Sequence, residues 1–67
     1  MAKYIPVVHN VTYGNISKFW DNPKALLYME VDGMFGKSWK LIDKEAEFCY
    51  GIAGQVRTGH LKVIAVI

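Results

Sequence analysis

Apolar and polar positions alternate with the two-residue period of a β-strand through much of this chain, most regularly from Lys24 to Ile42. Successive strand side chains point to opposite faces, so Ala25, Leu27, Met29 and Val31 share one side while Leu26, Tyr28, Glu30 and Asp32 share the other. On the return run Trp39 and Leu41 alternate with Ser38, Lys40 and Ile42. Two hairpin registers compete, because a slip of one residue moves every side chain to the other face. With Met29 opposite Trp39 and Leu27 opposite Leu41, one face is apolar throughout and the other carries Tyr28, Glu30, Ser38 and Lys40. The alternative puts Glu30 beside Trp39 and Lys40 beside Met29. The first is expected, with a loop of Gly33, Met34 and Phe35 whose flanking Asp32-Gly33 and Gly36 supply residues tolerant of positive φ.

The same period predicts further strands. Ile5, Val7, His9, Val11 and Tyr13 alternate from Tyr4 to Tyr13, with Pro6 near the start, where a missing N–H is tolerated at an edge. Gly14-Asn15 reads as a turn into a return strand over Ile16 to Trp20, and Asp21-Asn22-Pro23 as a second turn. From Asp43 to Ala53 the signals conflict. Asp43 suits a helix cap with Glu45 and Glu47 in the first turns, yet Phe48, Tyr50 and Ile52 alternate and Gly51 costs a helix about 1 kcal/mol. One helical turn passing into a strand satisfies both. Gln55 to Gly59 reads as loop, and His60 to Ile67 as a strand rich in β-branched residues. These elements predict a single mainly β domain over residues 1–67. Its five or six short antiparallel strands would form an open sheet or a small barrel of SH3 or OB type, with at most one short helix around 43–50.

Composition changes this picture in one respect. Of the 67 residues, 52% are hydrophobic, whereas a domain of about 60 residues buries only about 60% of its unfolded surface. Apolar surface is therefore left for a second copy or a partner to cover. The lone Cys49 excludes an intramolecular disulfide. No signal peptide or run of roughly 20 apolar residues is visible. A cytoplasmic protein without membrane attachment is expected, and the sequons at Asn10 and Asn15 are then fortuitous. The net charge of +2 is unevenly spread, positive towards both ends and negative between Asp21 and Glu47, with no polybasic run.

Candidate chemistry is sparse. Gly33 to Ser38 resembles a phosphate-binding loop, but the position that must be the first glycine is Val31 and no βαβ unit surrounds it. Cys49 with His9 or His60 lacks the local spacing of a nucleophile pair or a zinc site. Nothing marks an apolar pocket around Glu45 and Glu47 that would raise a carboxyl pKa. A non-enzyme without metal or cofactor is expected.

Two binding readings remain. Protein interaction or self-association follows from the apolar excess, with Trp20, Phe35, Leu61, Val63, Ile64 and Val66 as contacts if the terminal strand lies at a sheet edge. If that strand is central and apolar on both sides, the outer face still needs cover. Nucleic-acid binding by a small barrel is the alternative, using Lys18, Trp20, Tyr28, Lys40, Arg57 and Lys62 as an aromatic and cationic groove. A net charge of +2 supplies few phosphate contacts for it.

The run from Lys24 to Gly33, followed by Lys37-Ser38-Trp39-Lys40-Leu41-Ile42, resembles a hairpin of short bacteriophage proteins. The resemblance implies a small viral accessory protein in the host cytoplasm, of a kind that binds and blocks a host protein or handles nucleic acid. It assigns no functional residue.

Overall fold

In the structure, a computed structural model that describes residues 5–67, the elements run β1 (Val8–Asn10), α1 (Ile16–Trp20), β2 (Leu26–Gly33), β3 (Gly36–Leu41), α2 (Cys49–Arg57) and β4 (Val63–Val66). The four strands form one antiparallel sheet in the order β1-β4-β2-β3. β1 and β2 therefore run the same way with β4 between them, and the edges are β1 and β3. Both helices lie on one side of the sheet. The smallest dimension, 20 Å, is that of two layers about 10 Å apart.

The antiparallel sheet is as expected; its strand number and closure are not. There are four strands rather than five or six, and the edges β1 and β3 do not pair, so the sheet is open and no barrel forms. The difference arises where a three-to-four residue period competes with alternation. Ile16 and Phe19, three apart, are both buried, and Trp20 packs against the same cluster, so the expected return strand is a helix. Gly14-Asn15 leads into that helix instead of turning a hairpin. The Asn15 Oδ1 accepts from the Thr12 N–H at 2.6 Å, and the Ile16 N–H reaches the Thr12 carbonyl at 3.0 Å. Asp21-Asn22-Pro23 then ends α1, since proline cannot continue it.

Asp43 does cap a turn, accepting from the N–H groups of Glu45 at 3.0 Å and Ala46 at 3.3 Å. That turn stops at Phe48, whose backbone is extended, and α2 begins at Cys49. The helix thus lies later than residues 43–50, and it absorbs both the alternating Tyr50 and Ile52 and most of the expected loop. Its inward face is Cys49, Ile52, Ala53 and Val56, spaced for a helix. Gly51 and Gly54 weaken it intrinsically, so packing of that face holds it. Gly59, at φ 80°, ends the turn that follows α2.

The strand expected over Tyr4 to Tyr13 shortens to Val8–Asn10; Tyr4 lies outside the described residues. The terminal strand shortens to Val63–Val66 and is central rather than an edge. The β2–β3 register is also corrected. Glu30 stands opposite Trp39 and Met29 opposite Lys40, with Met34 and Phe35 linking Gly33 to Gly36. In this register Ile42 donates its N–H to the Leu27 carbonyl at 2.8 Å and is buried beside the helices. The expected register would have turned Ile42 outward. Trp39 and Leu41 lie on one side of β3 and Ile42, one residue beyond it, on the other, and it is Ile42 that joins the core cluster with Ile16, Phe19, Ile52 and Ala53.

Gly36 closes the hairpin with φ 115°, a conformation L side chains rarely adopt. Gly36→Ala should cost about 1–2 kcal/mol from backbone strain alone, since an added Cβ meets nothing within 4 Å. Gly54→Ala, also in open space but inside a helix, should stabilise by up to about 1 kcal/mol. Urea denaturation of the two variants checks the opposite signs.

Candidate functional site

Strand alternation and the register assemble the side of the sheet away from the helices. One cross-strand row reads Val8, Val66, Leu26; the next reads Asn10, Ile64, Tyr28, Leu41; a third joins Glu30 to Trp39. The intervening rows, His9, Ala65, Leu27 and then Val63, Met29, Lys40, point to the helices. The contrast between neighbours is sharp: Leu27 and Ala65 are 0% exposed, whereas Leu26, Leu41 and Trp39 are 47%, 50% and 45% exposed. Residues directly opposite on one face touch, so Leu26, Tyr28, Leu41, Trp39, Ile64, Val66 and Val8 form one apolar surface. No described element covers it.

The hairpin end of this face is polar. Lys37 reaches Glu30 at 3.5 Å, and Asp32 stands opposite Lys37. With Arg57, His60 and Lys62 these groups border an open cleft of about 900 Å³. At the other end, a smaller cleft of about 430 Å³ opens beside Leu26 and Leu41 and is bordered by Pro23, Ile42, Asp43 and Glu45. Beyond the polar end projects the hairpin tip, where Met34 is 92% and Phe35 100% exposed. The glycine-bounded Gly33 to Ser38 is this tip and the start of β3.

The structure separates the residues expected to bind protein. Ile64 and Val66 lie on the open face. Val63 is buried against the helices, Leu61 and Trp20 pack on the core cluster, and Phe35 is at the tip. Pairing along a free edge of the terminal strand does not occur, because β4 is hydrogen-bonded on both sides. The residues expected to bind nucleic acid do not form one surface. Tyr28 is on the open face, Lys40 pairs with Met29 on the other side, Lys18 and Trp20 are on α1, and Arg57, which ends α2 over the Tyr13 ring at 5.3 Å, shares the larger cleft with Lys62. Val8, Leu26, Trp39 and Leu41 were not among the expected contacts. The signal for Trp39 and Leu41 is the alternative hairpin register, which places Leu41 beside Tyr28 and Trp39 beside Glu30; Val8 and Leu26 join the face through β4, both opposite Val66.

The remaining reactive groups have structural partners. His9 packs on Phe19 with ring centroids 5.3 Å apart, and His60 Nδ1 lies 2.7 Å from the Thr58 hydroxyl. Burial and then the Asp21 carboxylate push the Cys49 thiol pKa up, which disfavours the thiolate a nucleophile needs. Among the described residues no group of three His, Cys, Asp or Glu side chains is placed to hold a metal. Nor is any helix among them long and apolar enough to cross a membrane. Compared with protein families, curated proteins and solved structures, the chain matches none.

Proposed function

We propose that this chain is a small non-enzymatic protein-binding module, a phage-type accessory protein or inhibitor acting on a protein of the host cytoplasm, and that it also self-associates. The observation that carries the reading is the uncovered apolar sheet face around Leu26, Tyr28, Trp39 and Leu41. A contiguous apolar patch with a polar rim is the anatomy of a protein contact. Glu30, Lys37 and Asp32 supply such a rim at one end. The resemblance of the Lys24 to Ile42 hairpin to short bacteriophage proteins supplies the biological setting.

Nucleic-acid binding fits this surface less well. Its open side is mostly aliphatic, and of the cations around its polar end Lys37 is paired with Glu30, while Arg57 and Lys62 border the same cleft as the carboxylates of Glu30 and Asp32. Phosphate contacts dominate such affinity; Arg57 and Lys62 share one cleft with Lys37, but Lys18 on α1 and Lys40 on the helix-facing side lie away from it.

The test compares two substitutions on one strand. Leu41→Asp places a charge on the open face, and Lys40→Asp places one on the helix-facing side. Host proteins retained by immobilised wild type should be lost with Leu41→Asp and kept with Lys40→Asp. Equal retention by both variants would remove the open face as the contact surface. Salt-sensitive retention of a single-stranded oligonucleotide, unchanged by Leu41→Asp, would favour the nucleic-acid reading instead.

A further inference from the structure

Resting on the reading that this chain self-associates, we propose that β3 pairs along its free edge with β3 of a second copy, antiparallel and centred on Trp39, so that two sheets become one. The terminal strand, a candidate edge from sequence, is paired on both sides; the six-residue β3 is the long edge instead, exposed along its whole length. Hydrogen bonding fixes which of its backbone groups are free. The Glu30 N–H donates to the Lys62 carbonyl at 2.9 Å, on the β4 side of β2, and the Leu27 carbonyl accepts from Ile42 at 2.8 Å, on the β3 side. Backbone groups alternate in direction along a strand. Ser38 and Lys40 therefore bond inward, to Val31 and Met29, while Lys37, Trp39 and Leu41 direct their N–H and carbonyl groups outward. No other element among the described residues bonds those outward groups.

The lysines of β3 select one register. Centred on Trp39, the pairing sets Trp39 against Trp39 and Lys37 against Leu41 in both directions, three facing pairs of two bonds each. Centred on Ser38 or on Lys40 it keeps only two such pairs, and the Lys40 centre also sets two ammonium groups directly opposite, which destabilises. In the Trp39 register Lys40 stands across from Ser38, and no like charges are directly opposed. Lysines commonly guard an exposed edge; here they disfavour slipped pairing and leave the central register open.

A second copy suits this edge because the register is symmetric about Trp39, so the contact is isologous and uses the β3 edge of both chains at once. The edges that remain are the two β1 strands, three residues long and closely preceded by Pro6, which has no N–H to offer. The joined sheet therefore ends as a dimer. Directly opposite residues share a face, so both open faces lie on the same side and stay available to a partner protein.

Sedimentation velocity from about 10 µM to about 1 mM, a range suited to an interface below the standard size, should show mass rising from one chain to two. Trp39→Pro removes an outward N–H at an edge position that tolerates proline, and should weaken association at least about tenfold with circular dichroism unchanged. Lys18→Asp, on α1, should leave association unaltered. In a Cys49→Ser background, an oxidised mixture of Ser38→Cys and Lys40→Cys chains should form a disulfide between the two variants, because facing residues in a non-hydrogen-bonded pair lie within disulfide reach; neither variant alone should do so. This cross-link decides the arrangement even if Trp39→Pro fails to fold. Ser38→Cys linking to itself, or a dimer indifferent to Trp39→Pro, overturns the register. A wild type that stays monomeric throughout overturns the second copy, and the host-protein comparison of Leu41→Asp with Lys40→Asp then decides the wider reading separately.

Discussion

Replacing Leu27 by alanine should cost about 3–4 kcal/mol, enough to leave much of the protein unfolded at room temperature. Leu27 is 0% exposed and is the largest fully buried side chain. It stands opposite Ala65 on β4, and its carbonyl accepts the Ile42 N–H at 2.8 Å. The truncation therefore opens a void where β2, β3, β4 and the helices meet. Leu→Ala at such sites typically costs about 2–5 kcal/mol, the upper part applying where neighbours cannot collapse. Backbone pairing on both sides of β2 restricts collapse here. Total stability for a chain of this length is only about 3–10 kcal/mol, so the loss is a large fraction of it. Leu26→Ala is the matched comparison: adjacent in sequence, on the same strand, but 47% exposed. It should cost less than about 1 kcal/mol when measured well below the concentration of dimerisation. Urea unfolding followed by circular dichroism reads both. Equal costs would mean that the outer face is covered within a single chain, and the contact surface proposed above would be lost with it.

The alternation that makes Leu26 and Leu27 so different was legible, because a strand periodicity needs only neighbours in sequence. The register was not. Met29 opposite Trp39 makes the cleaner isolated hairpin, yet the protein places Lys40 opposite Met29 and Glu30 opposite Trp39. The deciding residue is Ile42, one place beyond β3, which enters the core only in the adopted register. Its burial depends on α1 and α2, which a hairpin considered alone does not contain.

The helices were harder to see for a related reason. Ile16, Phe19 and Trp20 have helical spacing, but a five-residue helix is too short to be stable by itself, and Gly14-Asn15 just before it reads equally well as a hairpin turn. In α2 the alternating Phe48, Tyr50 and Ile52 compete with the helical set Cys49, Ile52, Ala53 and Val56. The structure resolves the contest by exposing Phe48 at 83% and Tyr50 at 88% while burying Ile52 and Ala53. Both helices exist because the sheet offers them a surface. The consequence for the site is direct: two short helices cover one side of four strands, and the apolar excess visible in the composition falls on the other. Ile64 and Val66 could be named from sequence because a central strand, apolar on both sides, must expose one. Leu26, Leu41 and Trp39 required the register.

Lys44 carries the second large effect, and nothing in its local sequence announces it. Between Asp43 and Glu45 it reads as an ordinary surface charge. In the fold its ammonium donates to the carbonyls of Ala25 at 2.7 Å, Asn22 at 2.9 Å and Phe19 at 3.4 Å. Those carbonyls belong to the end of α1 and the turn into β2, so one side chain ties the chain after β3 to both. A cation is also favoured beside the carbonyl end of a helix. Hydrogen bonds with one charged partner contribute about 1.5–3 kcal/mol each in net terms, and stranding a part-buried acceptor costs about 1–3 kcal/mol. Because the three bonds share one ammonium and water can replace some, Lys44→Met should cost about 2–3 kcal/mol in total. Methionine keeps the apolar stem, so the loss reports the ammonium. Lys24→Met, at an exposed position near the same turn, should change stability by less than about 0.5 kcal/mol. The partners of Lys44 are carbonyl dipoles rather than carboxylates, so its contribution should persist in 1 M salt, where exposed charge pairs are screened. Urea midpoints at low and high salt would settle it: a Lys44→Met effect that vanishes with salt would make Lys44 the surface charge its sequence neighbours imply.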